Sequence, residues 1–152
     1  MQAWRLSKQT FSETAFDGEG ARCFPGRWNQ RGVAAVYVAT TISLAALEYL
    51  AGVDPDIAPP PLVVIPVEFP EGLLVERIDP ARLPRDWRRF PHPESTRRIG
   101  NDWLQGSTAA ILSVPSAIIP QERIFVLNPN HDAFPELATG DPEPFAFDPR
   151  LW

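Results

Sequence analysis

The chain has 18 prolines among its 152 residues, and they limit where it can form regular structure. Proline lacks the amide donor that the interior of a helix or a sheet requires. The densest clusters are "DPDIAPPP", "FPHP" and "GDPEPFAFDP". These segments are predicted to be loops and, at about 135–152, a stiff extended tail. Helices and strands are therefore expected between the clusters.

Several of the remaining segments are short and apolar, with many β-branched or aromatic residues, which is typical of buried strands. Strands are predicted at 33–40, 62–69, 73–78, 109–114 and 123–128. Pro66 interrupts the second of these segments and suggests an edge strand or a bulge.

Two helices are expected between the strands. The first follows residue 40, with Thr41 or Ser43 as its N-cap and Gly52 at a position that favours a left-handed C-cap. The second is predicted to begin with Ser95 or Thr96 as its cap. Few helices around a central mixed sheet correspond to an α+β fold, and 152 residues is the size of a single compact domain.

Charge and cysteine content restrict the classes of partner. A net charge of -5 and a pI near 5.0 argue against direct binding to nucleic acid, whose phosphates require clustered Lys and Arg. One cysteine cannot form an internal disulfide, which fits a reducing compartment. No apolar run suggests a membrane span or a signal peptide. We expect a cytoplasmic protein without membrane contact, and its Trp-rich composition is compatible with a homodimer.

Glu48 lies in the most apolar helical stretch of the chain, "SLAALEYLAG". At 100° per residue it projects among leucines and alanines, so it is expected to be at least partly buried. An unpaired buried carboxylate costs several kcal/mol unless it is protonated, hydrogen-bonded or paired with a cation. One explanation is a structural ion pair with a residue such as Arg27. The other is a site at which the charge acts on a ligand.

The segment "PGRWN" resembles a binding loop more than a core segment. Gly26 allows the backbone to approach a ligand closely, while Trp28 and Asn29 add a flat apolar face and an amide. The planar guanidinium of Arg27 can bind a phosphate through two parallel hydrogen bonds. Tyr37, on the next predicted strand, offers a ring for stacking. Each residue also has a structural explanation, as a surface arginine or a core aromatic.

Other catalytic constellations are weak. Cys23 with His92 or His131 could suggest a thiol nucleophile, but nothing in the sequence directs a histidine toward the cysteine. Two histidines without carboxylates at helical spacing do not make a zinc site, so no metal is expected. No Gly-rich phosphate motif joins a strand to a helix, which argues against a dinucleotide-binding α/β fold.

The stretch "GRWNQRGVAAVYVATTISLAALEYL" resembles the RES domain family, the toxins of RES-Xre type II toxin-antitoxin systems. Its arginine, tyrosine and glutamate follow one another at intervals of ten and eleven residues. The segments "AWRL", "IGNDWL" and "AAILSVPSAIIPQERIFVLNPNH" also resemble family segments in the same order. The resemblance covers roughly residues 3–134 and implies a single RES-type domain over 1–152. Pro25 stands where the family usually has glycine.

The resemblance implies a fold similar to ADP-ribosyltransferases and cleavage of the bond between nicotinamide and ribose in NAD. The arginine, glutamate and serine that name the family match Arg27, Glu48 and Ser116. Glu48 would stabilise the oxocarbenium-like state, and Arg27 would bind the pyrophosphate or an adjacent phosphate. Tyr37 would stack on nicotinamide, and Ser116 would form hydrogen bonds within the pocket. A serine after proline is also a common turn residue.

The family also implies a partner, an antitoxin with an Xre-like helix-turn-helix domain. NAD would be a substrate and no bound cofactor is implied. Three functions stay open at this point. The first is an NAD glycohydrolase or phosphorylase that arrests growth by depleting NAD. The others are an ADP-ribosyltransferase that modifies a host protein and a noncatalytic module that binds NAD in the same pocket.

Overall fold

The computed structural model describes residues 1–106 and 108–151, which form a mixed β-sheet with α-helices on it. The strands are β1 (Gln2–Lys8), β2 (Val36–Ala39), β3 (Leu62–Glu68), β4 (Val75–Arg77), β5 (Ile111–Pro115), β6 (Arg123–Leu127), β7 (Ala138–Thr139) and β8 (Glu143–Phe145). The helices are α1 (Glu19–Cys23), α2 (Ile42–Ala51) and α3 (Glu94–Gly106). The predicted α+β class with a central mixed sheet is confirmed. No helix in the described part of the chain is long and apolar enough to cross a membrane.

The sheet has the strand order β4-β5-β6-β2-β1-β3-β7, with β8 also paired to β3. The pair β4 and β5 is parallel, and the other pairs are antiparallel. Consecutive residues of a strand face opposite sides, so the apolar residues of β2 and its neighbours contribute to two cores. One core contains Leu44 and Trp103 of the helices, and the other contains Val36, Val67 and Phe125.

Pro66 lies in a strand that has neighbours on both sides. All seven residues of β3 pair with β1, while the other side of β3 pairs with the two short strands β7 and β8. The carbonyl of Pro66 accepts a hydrogen bond from Gly140 N at 2.9 Å. The N and C=O of one strand residue point to the same side, so the missing donor of Pro66 faces away from β1. Pro66 thus lies in the pairing with β1 but outside the pairings with β7 and β8, so β3 resembles an edge strand on that second side.

The sequence predicted α2 well. Thr41 is its N-cap, and its Oγ1 accepts a hydrogen bond from Leu44 N at 3.0 Å. Gly52 follows the helix as predicted, but the expected left-handed conformation is wrong, because its φ is -100° and its ψ is -2°. The helix closes instead with a hydrogen bond from Gly52 N to Tyr49 O at 3.0 Å.

The start of α3 differs from the prediction. The helix begins at Glu94, so Ser95 and Thr96 lie in its first turn and do not cap it. Pro93 directly precedes this start, and its carbonyl accepts a hydrogen bond from Thr96 Oγ1 at 3.1 Å. A Cβ on Gly100 would lie 1.8 Å from the carbonyl oxygen of Trp28. The absence of a side chain at this position lets α3 pack directly on the loop that carries Arg27.

The sequence did not predict β1, α1 or the pairing of the tail. The tail was expected to be extended. Residues within it form β7 and β8, which pair with β3, while Phe134–Glu136 and Pro149–Leu151 form 3-10 helical turns. The strand β1 mixes polar, charged and apolar residues, and its long-range pairing with β3 stabilises it. The helix α1 has five residues, too few to show a helical period in sequence.

Candidate active site

A cavity of about 500 Å³ lies between β1, β2, α2 and the loops at 24–29 and 84–93. Its lining is largely apolar and aromatic. The charged side chains that line it are those of Arg5, Arg27, Glu48 and Arg88, and the other polar groups include those of His92, Tyr37 and Tyr49. A mostly apolar cavity of this size with a few polar groups is typical of a site for a small molecule.

Glu48 lines the cavity from the last turn of α2, and its carboxylate is hydrogen-bonded to Ser116. Ser116 Oγ donates a hydrogen bond to Glu48 Oε1 at 2.7 Å. Ser116 Oγ also accepts hydrogen bonds from Ile118 N and Ile119 N, each at 3.1 Å. These two donors direct the hydroxyl hydrogen toward Glu48, because a serine hydroxyl has a single hydrogen. Ser116 is fully buried and does not line the cavity, so it positions Glu48.

Glu48 is half-buried, as the sequence predicted. Burial raises the pKa of the Glu48 carboxyl above its usual range, while the hydrogen bond from Ser116 and the charge of Arg27 act in the opposite direction. The charged form is therefore less favourable in the cavity than in water. A positively charged group next to the carboxylate would recover part of this free energy.

Arg27 forms no ion pair with Glu48. Its Nη1 donates to the carbonyl oxygens of Trp87 at 2.6 Å and Arg89 at 2.8 Å, which ties the two loops together. Burial lowers the pKa of Arg27, and Glu48 raises it through space. In the described part of the chain, the ion pairs within 4.0 Å lie elsewhere, between Arg22 and Glu19 and between Arg150 and Asp148. The structural explanation of Glu48 as the ion-pair partner of Arg27 is therefore wrong.

Tyr37 fixes the binding loop to the sheet. Its hydroxyl donates to Asn29 Oδ1 at 2.7 Å and accepts a hydrogen bond from Trp28 N at 3.0 Å. A Cβ on Gly26 would lie 2.8 Å from the Tyr37 hydroxyl oxygen, so the glycine allows close packing on the ring. Burial raises the pKa of Tyr37, and the phenol stays neutral. Its ring lines the cavity.

Trp28 and Asn29, both predicted to contact a substrate, are fully buried. Trp28 lines the cavity, whereas Asn29 does not. The Asn29 side-chain nitrogen donates to Ala21 O at 2.8 Å and Val33 O at 3.1 Å. Its oxygen accepts hydrogen bonds from Gly26 N and from Tyr37. The amide is thus used within the protein, and these two residues shape the loop that presents Arg27.

Arg5 and His92 line the cavity and were not identified from the sequence. Arg5 is on β1, and its Nη1 donates to Tyr37 O at 2.9 Å. Burial lowers the pKa of Arg5 to about 10, and its Nε is buried without a hydrogen-bond partner in the described part of the chain. Burial, with the charges of Arg27 and Arg97, lowers the pKa of His92 to about 4, so its imidazole is neutral at pH 7. No local pattern marks either residue, because their positions depend on long-range packing.

The residues set aside by the sequence interpretation have other surroundings. Cys23 is exposed and does not line the cavity. Asn128 is buried, donates to Leu104 O at 2.9 Å and accepts a hydrogen bond from Asn130 N. His131 Nδ1 accepts a hydrogen bond from Ala133 N at 3.0 Å. Asn128 and His131 thus organise the turn after β6. Within residues 1–106 and 108–151, no three His, Cys, Asp or Glu residues lie together as metal ligands.

The α+β fold and a half-buried carboxylate among cationic side chains define an enzyme-like domain with a small-molecule site. The sequence matches the RES domain over residues 2–148, so the chain belongs to the RES domain family. "Toxin Res" of Yersinia enterocolitica is 34% identical over 152 residues, which is 99% of each chain. "Toxin Res" of Photorhabdus laumondii is 38% identical over 129 residues, 85% of this chain and 82% of the relative.

Two further comparisons bear on activity and fold. The "Prs ADP-ribosylating toxin" of a Sphingobium species is 31% identical over 152 residues, covering 97% of this chain and 94% of the relative. A chain in the crystal structure of the M. tuberculosis MbcT-MbcA toxin-antitoxin complex matches with a TM-score of 0.74. That match covers 95% of this chain and 83% of the other at 18% identity, and it shows a shared fold.

Proposed function

We propose that this RES-family protein is the toxin of a toxin-antitoxin pair and cleaves the nicotinamide-ribose bond of NAD. The observation that carries the proposal is Glu48, a half-buried carboxylate that lines the cavity. Its direct partner is Ser116, and no cation of residues 1–106 and 108–151 forms an ion pair with it. Since its structural ion pair is absent, the charge is available to a ligand. NAD offers a reaction centre that becomes positively charged.

The reaction requires stabilisation of a cationic transition state. When the bond between ribose C1′ and nicotinamide breaks, its electron pair leaves with nicotinamide, which becomes neutral. Positive charge then develops on the ribose until an acceptor oxygen attacks C1′ and loses its proton. A preoriented carboxylate stabilises this charge, and its effect is larger in a site that excludes water. Glu48, held by Ser116, would have this role.

The other cavity residues would bind the rest of NAD. Arg27 uses Nη1 to hold the 84–93 loop, and its Nε and Nη2 make no other hydrogen bond among the described residues. That edge of the guanidinium suits a pyrophosphate oxygen. Arg5 would supply a second positive charge from the sheet, and the ring of Tyr37 would stack on nicotinamide. Ser116 would act through Glu48 and not by contact with NAD.

ADP-ribosyl transfer to a host protein is the second candidate. It is favoured by the relative from Sphingobium that carries the name of an ADP-ribosylating toxin. Both reactions break the same bond and differ in the acceptor that attacks C1′, which is water or phosphate in one case and a protein side chain in the other.

The direct test incubates purified protein with NAD, with and without phosphate, and identifies the products. ADP-ribose with nicotinamide supports a glycohydrolase, a phosphorylated ADP-ribose supports a phosphorylase, and a labelled protein in added cell extract supports a transferase. Cys23→Ser serves as a matched control that should react like the wild type, since Cys23 is exposed and away from the cavity. Unchanged NAD in every reaction would contradict the proposal and favour a noncatalytic binding module.

An enzyme that consumes NAD must be restrained in the cell that makes it. We therefore propose an antitoxin partner with an Xre-like helix-turn-helix domain and action in the cytoplasm. A toxin-antitoxin complex among the structural neighbours supports such a partner. Co-expression with the product of an adjacent helix-turn-helix gene should restore growth, and the two chains should co-purify. Robust growth of cells that overproduce the active chain alone would argue against a toxin.

A further inference from the structure

The Pro-rich tail contacts the last turn of α2, which carries Glu48 into the cavity lining. The last turn of α2 contributes Glu48, Tyr49 and Gly52 to the cavity lining. The ring of Phe147 stacks on that of Tyr49, with centroids 6.0 Å apart and an angle of 30° between the planes. Phe147 does not line the cavity. Its contact with this turn is therefore made through Tyr49.

The sheet fixes the position of this aromatic contact. Residues 143–145 pair with β3, and Phe145 lies opposite Leu62 in the register. The ring of Phe145 meets that of Phe147 edge to face, with centroids 5.1 Å apart and an angle of 88°. The strand β3 in turn pairs with β1, which contributes Arg5 to the cavity lining. The tail thus links the sheet to the end of α2.

The backbone at the end of α2 lacks one common stabilising feature, a left-handed cap. The backbone of Gly52 has a right-handed helical conformation. The helix therefore lacks the left-handed cap whose amides donate hydrogen bonds to the last carbonyls of a helix. It closes with one hydrogen bond, from Gly52 N to Tyr49 O. The ends of helices fray readily. Ser116 orients the side chain of Glu48. The contact between Tyr49 and Phe147 is a second constraint on the last turn of α2.

We propose that Phe147 is a positioning residue for the site. It holds Tyr49 and the last turn of α2 in place, so that the Glu48 carboxylate keeps its orientation in the cavity. This inference rests on the proposed NAD cleavage for its catalytic consequence. Its structural part, the support of residues 48–52 by the tail, is independent of the substrate.

The test compares Phe147→Ala with Phe147→Tyr and Phe11→Ala. Phe147→Tyr keeps the stacked ring, and Phe11→Ala removes an exposed aromatic side chain that does not line the cavity. Phe147→Ala should lower kcat for NAD by about 3-fold to 10-fold, the scale of a lost aromatic pair, while KM changes less. Phe147→Tyr and Phe11→Ala should keep the wild-type kcat.

Amide hydrogen exchange without NAD provides a second readout. Phe147→Ala should accelerate exchange at residues 48–52 and leave the central strands unchanged. If the wild type cleaves NAD and Phe147→Ala has the same kcat and the same exchange at 48–52, the inference is overturned. If the wild type does not cleave NAD, the proposed function fails, and exchange alone decides this inference. Faster exchange at 48–52 then supports it, and unchanged exchange contradicts it.

Discussion

At the scale of single residues, the structure explains why a glutamate lies among leucines and alanines. Glu48 accepts a hydrogen bond from Ser116, which is itself oriented by two backbone amides. Among the residues that the structure describes, no cation forms an ion pair with Glu48, and burial raises its pKa. Its carboxylate is therefore oriented and incompletely neutralised. A cationic reaction centre would supply the missing charge.

Arg27→Lys should retain the fold and impair the use of NAD. A lysine can still donate to the carbonyls of Trp87 or Arg89, but it cannot present a second donor edge to a phosphate. We expect kcat/KM for NAD to fall by about 10-fold or more, mainly through KM. Arg98→Lys is the matched control, because Arg98 is exposed and lies outside the cavity lining. Equal kinetics for both variants would remove Arg27 from the site.

Ser116→Ala should change the pH dependence of the reaction. The hydrogen bond from Ser116 lowers the pKa of Glu48, so its loss should raise that pKa further. If the ionised carboxylate is the active form, the acid limb of kcat against pH should move to higher pH. The kcat at neutral pH should fall by about 10-fold, since a hydrogen bond to a charged group is lost.

The serine variant also leaves the amides of Ile118 and Ile119 without their acceptor, so some loss of stability is expected. Ser43→Ala, at an exposed position of α2, controls for the loss of a hydroxyl. A profile of Ser116→Ala that is lower in rate but has the same acid limb would contradict a role through Glu48.

At the scale of elements, local signals were predictable and long-range pairing was not. The N-cap Thr41 and the helix that follows it are encoded within a few residues, and the structure confirms both. The strand β1 and the tail strands depend on β3, and no local pattern indicates that pairing. The cap of α3 was misplaced because Pro93 and Glu94 were not recognised as its start.

The residues of the candidate site also divide into those that local sequence patterns predicted and those that they did not. The loop, strand and helix that carry Arg27, Tyr37 and Glu48 are consecutive in the chain, and all three residues line one cavity. Arg5 and His92 come from distant segments, so no local pattern indicates that they line the same cavity. Asn29 was expected to contact a ligand, but its side-chain amide forms hydrogen bonds with Gly26, Tyr37 and the carbonyls of Ala21 and Val33.

Gly100→Ala tests how α3 supports the loop of Arg27. Its Cβ would lie 1.8 Å from the carbonyl oxygen of Trp28, so helix or loop must move. We expect destabilisation by about 1–3 kcal/mol or more, the usual range for overpacking, and a lower melting temperature. Gly106→Ala is the matched control in the same helix, because its Cβ would meet nothing within 4 Å. Equal melting temperatures for the two variants would show that this contact does not constrain the fold.

At the scale of the whole molecule, the charge of the site differs from that of the chain. The net charge is -5, but three arginines and one glutamate line the cavity. The sheet, α2 and two loops assemble this positive site from segments between residues 4 and 124. Overall charge is therefore a poor guide to the ligand, and an anionic molecule such as NAD remains compatible with an acidic protein.

Glu48→Gln is the most direct test of the central proposal, that the Glu48 carboxylate supports cleavage of NAD. The amide keeps the size of the side chain and an oxygen that accepts the Ser116 hydrogen bond. Because burial disfavours the ionised form, the melting temperature at pH 7 should equal or exceed that of the wild type. NAD turnover, measured on the same preparation, should fall by about 100-fold or more, and growth inhibition should disappear. A variant that melts like the wild type and consumes NAD at the wild-type rate would contradict the assignment.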